Sequence, residues 1–284
     1  MLALNETARL PIGVVIRTIG ADPAAWLEGA RRLDEAGYAG VWAWDHLMGP
    51  PPGRPTVEAW TILSMSAAST RQIAIGTFVL NVMNRPPAVV ARMAATLQIA
   101  SGGRFILGLG IGGQTGEHEA YGMEFPEVSD RVARLEEAVA VIRALWTGGP
   151  VTRESAYYPL HDAVALPAPD PAPRLVIAGE TPAGARRAAR IGDGWTVPDH
   201  RFEALQPEYL EALRATGKRR EDQLVLVEAN EGDWLADASL EASPWVTTPR
   251  ATWARWRNAG ADGVVVLARS RADVDALVDA TGRW

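Results

Sequence analysis

The chain has 284 residues, 48% hydrophobic and 22% charged, an ordinary globular composition that fills a core and excludes disorder and coiled coil. Its formal net charge is -6 with no block of like charges, which argues against a nucleic-acid partner. Cysteine is absent, and with it go disulfide frameworks, thiolate metal sites, iron–sulfur clusters and a cysteine nucleophile.

Residues 1–10 lack the basic and apolar regions of a signal peptide, and no apolar run approaches the ~20 residues of a membrane span. The expectation is a soluble cytoplasmic protein with no membrane partner. In chain order, residues 12–16 (IGVVI) read as the first strand. Asp22-Pro23 then supplies an N-cap and an N1 proline, Trp26, Ala30 and Leu33 share a helical face, and Gly37 stands at C′. Strand two is 40–44 (GVWAW), followed by a helix near 57–68. Strand three is 73–80, with a helix from about Pro87, and strand four is 105–109. Residues 131–146 form the clearest helix, with Val132, Leu135, Val139, Ile142 and Trp146 at spacings of three and four.

The proline-rich stretch 148–173 reads as a short insertion with a small hairpin through Ala156, Tyr157 and Tyr158. Strand five (174–178) leads to Thr181 as N-cap, Pro182 at N1 and a helix to Ile191 that stops at Gly192. Strand six (194–197), a helix at 203–215, strand seven (224–228), a helix at 248–258, strand eight (263–267) and a helix from Ser270 to Ala280 complete the chain. The strands are β-branched, apolar on both faces and separated by helices, the pattern of a parallel sheet. Eight such units without a linker predict one α/β domain over residues 1–284, a single (β/α)8 TIM barrel; the rival is an open doubly wound sheet. In a barrel the chemistry lies on the loops after strands, and the long ones here are 45–56, 110–129 and 229–247.

Gly108, Gly110 and Gly113 fit G-x-G-x-x-G. A dinucleotide fingerprint must open straight into a helix, whereas Gln114, Thr115 and Gly116 follow here and the strong helix begins near 129. Gly110, Gly112 and Gly113 instead read as backbone that a planar ligand or phosphate can approach closely. Asp45-His46 ends strand two, a place suited to general acid–base work; the plainer reading is a helix-start aspartate beside a surface histidine. His118, His161 and His200 show no ligand-like spacing, so no metal is expected.

Gly179-Glu180-Thr181-Pro182 opens a capped helix whose amide groups would suit a phosphate, or Thr181 serves only as the cap. Eleven tryptophans are present. Trp26, Trp146, Trp253 and Trp256 fall at helical positions, while Trp44, Trp195, Trp234 and Trp245 are candidates for the wall of an aromatic pocket. The one lysine, Lys218, falls at a helix end, which gives a Schiff-base mechanism little support.

Several segments together resemble the luciferase-like monooxygenase family of flavin- and deazaflavin-dependent barrels. The most specific is 101–113 (SGGRFILGLGIGG), followed by Glu117, Tyr121-Gly122, Phe125, Arg131, Glu136-Glu137 and Leu145-Trp146. Ala36-Gly37-Tyr38, 41–46 (VWAWDH), Val79-Leu80-Asn81, Arg85-Pro86-Pro87-Ala88 and Asp193-Gly194-Trp195 support it. The resemblance spans about residues 12–200 and implies the same barrel. It implies a ring lying over a bulge at Thr77, Phe78, Val79 and Asn81, with Phe78–Val79 as a cis peptide, and a phosphate loop at Gly179, Glu180 and Thr181.

In this resemblance Asp45 and His46 match a catalytic pair, with His46, oriented by Asp45, moving a proton. The family's dehydrogenases carry an acidic residue where Gly113 stands here, which favours reduction or oxygenation over alcohol dehydrogenation. The Asp45-His46 pair, the 79–85 segment and the compact length favour coenzyme F420 over FMN. The expectation is hydride transfer between F420 and a small organic substrate. Alternatives are an FMN-dependent monooxygenase using reduced FMN and dioxygen, and a barrel that binds a ligand without catalysis. The family also implies a homodimer.

Overall fold

The computed structural model of the chain describes residues 10–49, 53–229 and 239–284. In order, the first half holds β1 (Ile12–Ile16), α1 (Pro23–Ala36), β2 (Gly40–Ala43), α2 (Ala59–Ser69), β3 (Ala74–Thr77), β4 (Leu80–Asn81), α3 (Pro87–Ala100), β5 (Phe105–Gly110), α4 (Thr115–Ala120) and α5 (Val128–Leu145). A two-stranded hairpin, β6 (Val151–Arg153) with β7 (Leu160–Ala163), leads into β8 (Arg174–Ala178), α6 (Pro182–Ile191), β9 (Gly194–Pro198) and α7 (Asp199–Ala215). The chain continues with β10 (Leu224–Ala229), α8 (Pro244–Thr247), α9 (Pro249–Ala259), β11 (Gly263–Ala268) and α10 (Arg271–Ala280).

Parallel pairing runs β3-β2-β1-β11-β10-β9-β8-β5, and β5 pairs back to β3, which closes an eight-stranded (β/α)8 barrel. The short β4 continues the third strand beyond a break at residues 78 and 79 and pairs with the far end of β5. All eight predicted strands are present, and the hairpin flanks Ala156–Tyr158 as expected. Two departures matter: residues 110–129 contain α4, and the following helix begins at Val128 rather than Arg131.

Local chemistry sets the helix ends. Asp22 accepts the Ala25 amide at 2.9 Å to start α1, and Gly37, at φ 85, ends it in the left-handed conformation that glycine adopts without penalty. Glu58 caps α2 with both carboxylate oxygens, on the Trp60 and Thr61 amides. Lys218 Nζ donates to the carbonyls of Ala189, Arg190 and Gly192, so the one lysine closes the C-terminal end of α6.

The apolar core has two compartments. One lies between strands and helices; the other fills the barrel with Val15, Trp42, Trp44, Phe78, Ile106, Val176, Leu226 and Val265. Trp42 lies across that interior, and a Cβ built on Gly13, Gly40 or Gly76 would stand 2.3, 2.8 or 2.4 Å from its indole. Three neighbouring strands therefore give up side chains to seat one ring. The outer tryptophans are anchored by their N–H groups: Trp26 donates to Ile16 O at 3.0 Å and Trp146 to Ala91 O at 2.9 Å.

Candidate functional site

The carboxyl ends of the barrel strands form a mouth floored by Trp42, whose ring centroid lies 5.8 Å from that of Phe78, with Trp44 beside them in the same inner cluster. The Phe78–Val79 peptide is cis, as the resemblance implied. The break it sits in is clamped from both sides. Thr77 is fully buried and its hydroxyl donates to Gly108 O at 2.7 Å. A Cβ on Gly108 would stand 2.2 Å from Thr77 O, one on Gly110 would stand 2.7 Å from Val79 Cγ2, and one on Gly112 would strike the Asn81 amide. These glycines thus make room for the bulge itself, which corrects the expectation that their open side faces a ligand. Gly113 differs, with no atom within 4 Å of its missing side chain.

Asp45 and His46 point to different partners, and the sequence expectation that one orients the other is not met. The Asp45 carboxylate is buried and accepts from Arg85 Nη1 at 2.8 and 2.9 Å, Asn84 Nδ2 at 2.9 Å and the Asn81 amide at 3.1 Å. Burial pushes it up to about 6, opposed by the Arg85 guanidinium and these hydrogen bonds. Its work is to tie the end of β2 to the turn after β4. Both residues lie past the end of β2, and their side chains part toward Arg85 on one side and α4 on the other.

His46 is held by Glu117 instead. Its Nδ1 lies 2.5 Å from Glu117 Oε1, and Glu117 Oε2 accepts the Leu47 amide at 2.8 Å. Glu117 is buried on α4 and its neighbour His118 is fully buried. His118 reaches Asn81 Nδ2 through Nε2 at 3.3 Å and Gln114 O through Nδ1 at 3.3 Å, a pattern that suits the neutral ring. One short helix thus clasps the ends of two strands. Arg131 fastens its approach by donating to Ile111 O at 3.0 Å and Gly112 O at 2.6 Å.

The turn after β8 offers less to an anion than the sequence suggests. Thr181 accepts the Gly184 amide at 3.0 Å, Pro182 has no N–H and the Ala185 amide donates to Thr181 O. In the first turn of α6 this leaves the Ala183 amide, next to the exposed Glu180. Trp195 is not part of the mouth: it is fully buried on the helix side, stacked 4.8 Å from Tyr209, and its indole N–H donates to Gly179 O at 2.9 Å. It braces the turn, and its side chain has no surface to offer a cofactor. Trp245 is buried in α8, and Trp234 lies outside the described residues.

Sequence reasoning gave no role to three charged residues at this end. The inner cluster includes Val15, Leu226 and Val265, and the strand period of two carries that face to Arg17, Glu228 and, through Leu267, Arg269. Arg17 and Arg269 are buried and follow the paired residues Ile16 and Ala268. Burial, with Glu180 and Asp199 nearby, pushes the Glu228 carboxyl up to about 7. The readable signal was a charged residue closing the apolar run LVLVE. Among the described residues, no group of three or more His, Asp or Glu side chains is placed to hold a metal ion, and no helix is long and apolar enough to cross a membrane.

With this geometry in hand, comparison with known proteins is informative. A sequence model described as luciferase-like monooxygenase matches residues 7–230. An F420-dependent glucose-6-phosphate dehydrogenase of Kineococcus radiotolerans is 36% identical over 208 residues, covering 69% of this chain and 60% of that protein. A phthiodiolone/phenolphthiodiolone dimycocerosates ketoreductase of Mycobacterium tuberculosis is 39% identical over 171 residues, covering 58% of this chain and 43% of that one. The matched region thus spans three fifths or less of these two relatives. Among solved structures, an F420-dependent secondary alcohol dehydrogenase in complex with an F420-acetone adduct aligns with TM-score 0.80 at 22% identity, over 96% of this chain and 99% of that one. EDTA monooxygenase from Chelativorans aligns with TM-score 0.76 at 16% identity, over 96% and 94%. At these identities the structural likeness concerns the fold.

Proposed function

The chain belongs to the luciferase-like monooxygenase family, and we propose that it is an oxidoreductase moving a hydride between coenzyme F420 and a small organic substrate. The observation that carries this reading is the His46–Glu117 pair at the rim of the barrel mouth, beside the clamped 77–79 break. The mouth suits a planar deazaflavin ring: Phe78 and Trp44 give apolar walls, and Gly113 is unobstructed. In this reading the 77–79 backbone, Asn81 and Gly113 border the ring, and Gly179, Glu180, Thr181 and the Ala183 amide meet its tail. Bound there, F420 supplies the hydride chemistry that no side chain of this protein provides.

The protein's own residues do the rest. Glu117 fixes the His46 ring by its Nδ1, so proton exchange with the substrate falls to Nε2. Asp45, through Arg85 and Asn84, holds the backbone from which His46 projects. The apolar walls keep water from the reacting centre.

The relatives' printed names include F420-dependent enzymes, which supports this cofactor over FMN. Fluorescence titration of the purified protein with F420 and with FMN tests the reading. Saturable binding of F420 with no FMN binding is expected; tight FMN binding without F420 binding would replace it with the monooxygenase reading. Binding of either cofactor without turnover of any substrate would leave a ligand-binding barrel.

The same reading makes the protein a homodimer through the outer face of α2 and α3. Met65, Val89 and Ile99 are 47 to 49% exposed there, and a groove of about 450 Å³ is lined by Trp60, Ala67, Met93 and Leu97. Sedimentation equilibrium reports the state directly, and a monomer at micromolar concentration would contradict it.

A further inference from the structure

Asn81 follows the 77–79 break, and each of its polar groups is engaged. Its amide N–H donates to Asp45 Oδ2 at 3.1 Å, its carbonyl accepts the Asn84 amide at 3.0 Å, and its Oδ1 accepts the Met83 amide at 3.0 Å. The remaining group, Nδ2, meets His118 Nε2 at 3.3 Å. The side chain lies against Gly112, where a Cβ would stand 2.5 Å from Nδ2. Turning the amide over would set its NH₂ against the Met83 N–H, so Nδ2 is the group that His118 receives.

His118 therefore accepts at Nε2 and carries its proton on Nδ1, which faces Gln114 O at 3.3 Å. A backbone donor at Met83 and a backbone acceptor at Gln114 thus select one tautomer through two side chains. The ring is fully buried, whereas His161 and His200 are exposed. Phe125 lies 4.4 Å from it, and the Arg131 guanidinium of α5 stands 4.1 Å from Phe125. Successive residues of a helix project about 100° apart. Glu117 accordingly reaches His46 past the end of β2, while His118 reaches Asn81 on β4.

We infer that His118 is a positioning residue of this barrel: its Nε2 fixes Asn81 and the chain after the break, while Glu117 beside it fixes His46. The helix α4 then sets where the proton-moving ring stands relative to the backbone that borders the cofactor. This rests on the reading of the mouth as an F420 site and adds a residue to it. A buried imidazole kept only for packing would need no particular tautomer, and another ring of its size would replace it.

Nitrogen-15 NMR of the cofactor-free protein reads the tautomer, with the His118 signals assigned by their loss in His118→Gln. A protonated Nδ1 and a bare Nε2 are expected. Fluorescence titration with F420 then compares three proteins. His118→Phe, which keeps a ring and removes the acceptor, should weaken F420 binding about ten-fold or more. His118→Gln, which returns an oxygen to the Nε2 position, should stay within about three-fold of the wild type. A proton on Nε2, wild-type affinity in His118→Phe, or equal weakening in both variants would each overturn the inference. Should His118→Phe not fold, the tautomer and the His118→Gln affinity decide, and a loss beyond about three-fold in His118→Gln overturns it. A wild type that binds no F420 removes the cofactor reading, and the tautomer alone then decides whether His118 holds Asn81.

Discussion

His46 Nδ1 stands 2.5 Å from Glu117 Oε1, while the second oxygen of that carboxylate accepts the Leu47 amide at 2.8 Å. A carboxylate in this position fixes the ring's rotation and its tautomer together, because Nδ1 carries the proton that points at it. The contact joins residues 71 positions apart, and it makes α4 part of the proton-moving apparatus.

If that is its role, His46→Ala lowers kcat by about 10²–10⁴-fold while F420 affinity stays within a few-fold. Glu117→Gln gives a smaller loss of rate, because the ring loses the carboxylate that fixes its orientation. Steady-state rates across pH, with cofactor affinity measured separately, check both. A Glu117→Gln profile superimposable on the wild type would show that the carboxylate only holds α4 in place.

Asp45 behaves differently. All its partners, Arg85, Asn84 and the Asn81 amide, are donors, so Asp45→Asn sets an NH₂ group against one of them. The expected outcome is a destabilisation of about 2–4 kcal/mol, since breaking a buried charge pair leaves Arg85 partly uncompensated. Glu58 keeps a second contact to Arg85, which limits the loss. Chemical denaturation measures it, and an unchanged midpoint would refute this account of Asp45.

The glycines of β5 and its following turn divide by what they face. Gly108→Ala drives a Cβ to 2.2 Å from Thr77 O, a backbone atom that cannot swing aside, and should cost about 1–3 kcal/mol of stability. Gly113→Ala meets nothing within 4 Å; its melting temperature should stay at the wild-type value while F420 binding weakens. Calorimetry and the fluorescence titration together distinguish the two.

The Glu228 carboxyl is pushed from its ordinary 4.5 up to about 7 by burial and by Glu180 and Asp199. Between those values the folded chain keeps a proton that the unfolded chain has released. This group therefore lowers stability as pH rises from 4.5 toward 7, and its cost is fully present above that window. The cost is at most ~3 kcal/mol. Glu228→Gln removes it, so the variant should melt about 5 °C above the wild type at about pH 8 and close to it at about pH 4. Equal melting temperatures at both pH values would contradict this.

How much of this was readable in the sequence depends on the kind of signal. The barrel was legible because each strand is an apolar run bounded by glycine, proline or a charge, and each long helix repeats at three and four. The break at Phe78–Val79 was legible only through resemblance, since nothing in GTFVLN is unusual as a strand end. Glu117 was hidden because α4 has six residues, too few to show a period, and because adjacency made Asp45 the obvious partner for His46. Trp195 misled for another reason. Every residue of β9 is buried, so composition does not reveal which side of that strand faces the barrel and which the helices. Glu228 had a visible signal, a carboxylate on the inward register of an apolar strand, whose weight emerged only with Glu180 and Asp199 alongside.

Hydride transfer is the central claim, and isotope transfer tests it most directly. Reduced F420 carrying deuterium at the hydride-donating carbon is incubated with the protein and a panel of small ketones, aldehydes and imines, and products are read by mass spectrometry. The account predicts one deuterium on the reduced carbon of at least one product, dependent on His46. No labelled product across the panel, together with consumption of reduced FMN and dioxygen by the same protein, would contradict it.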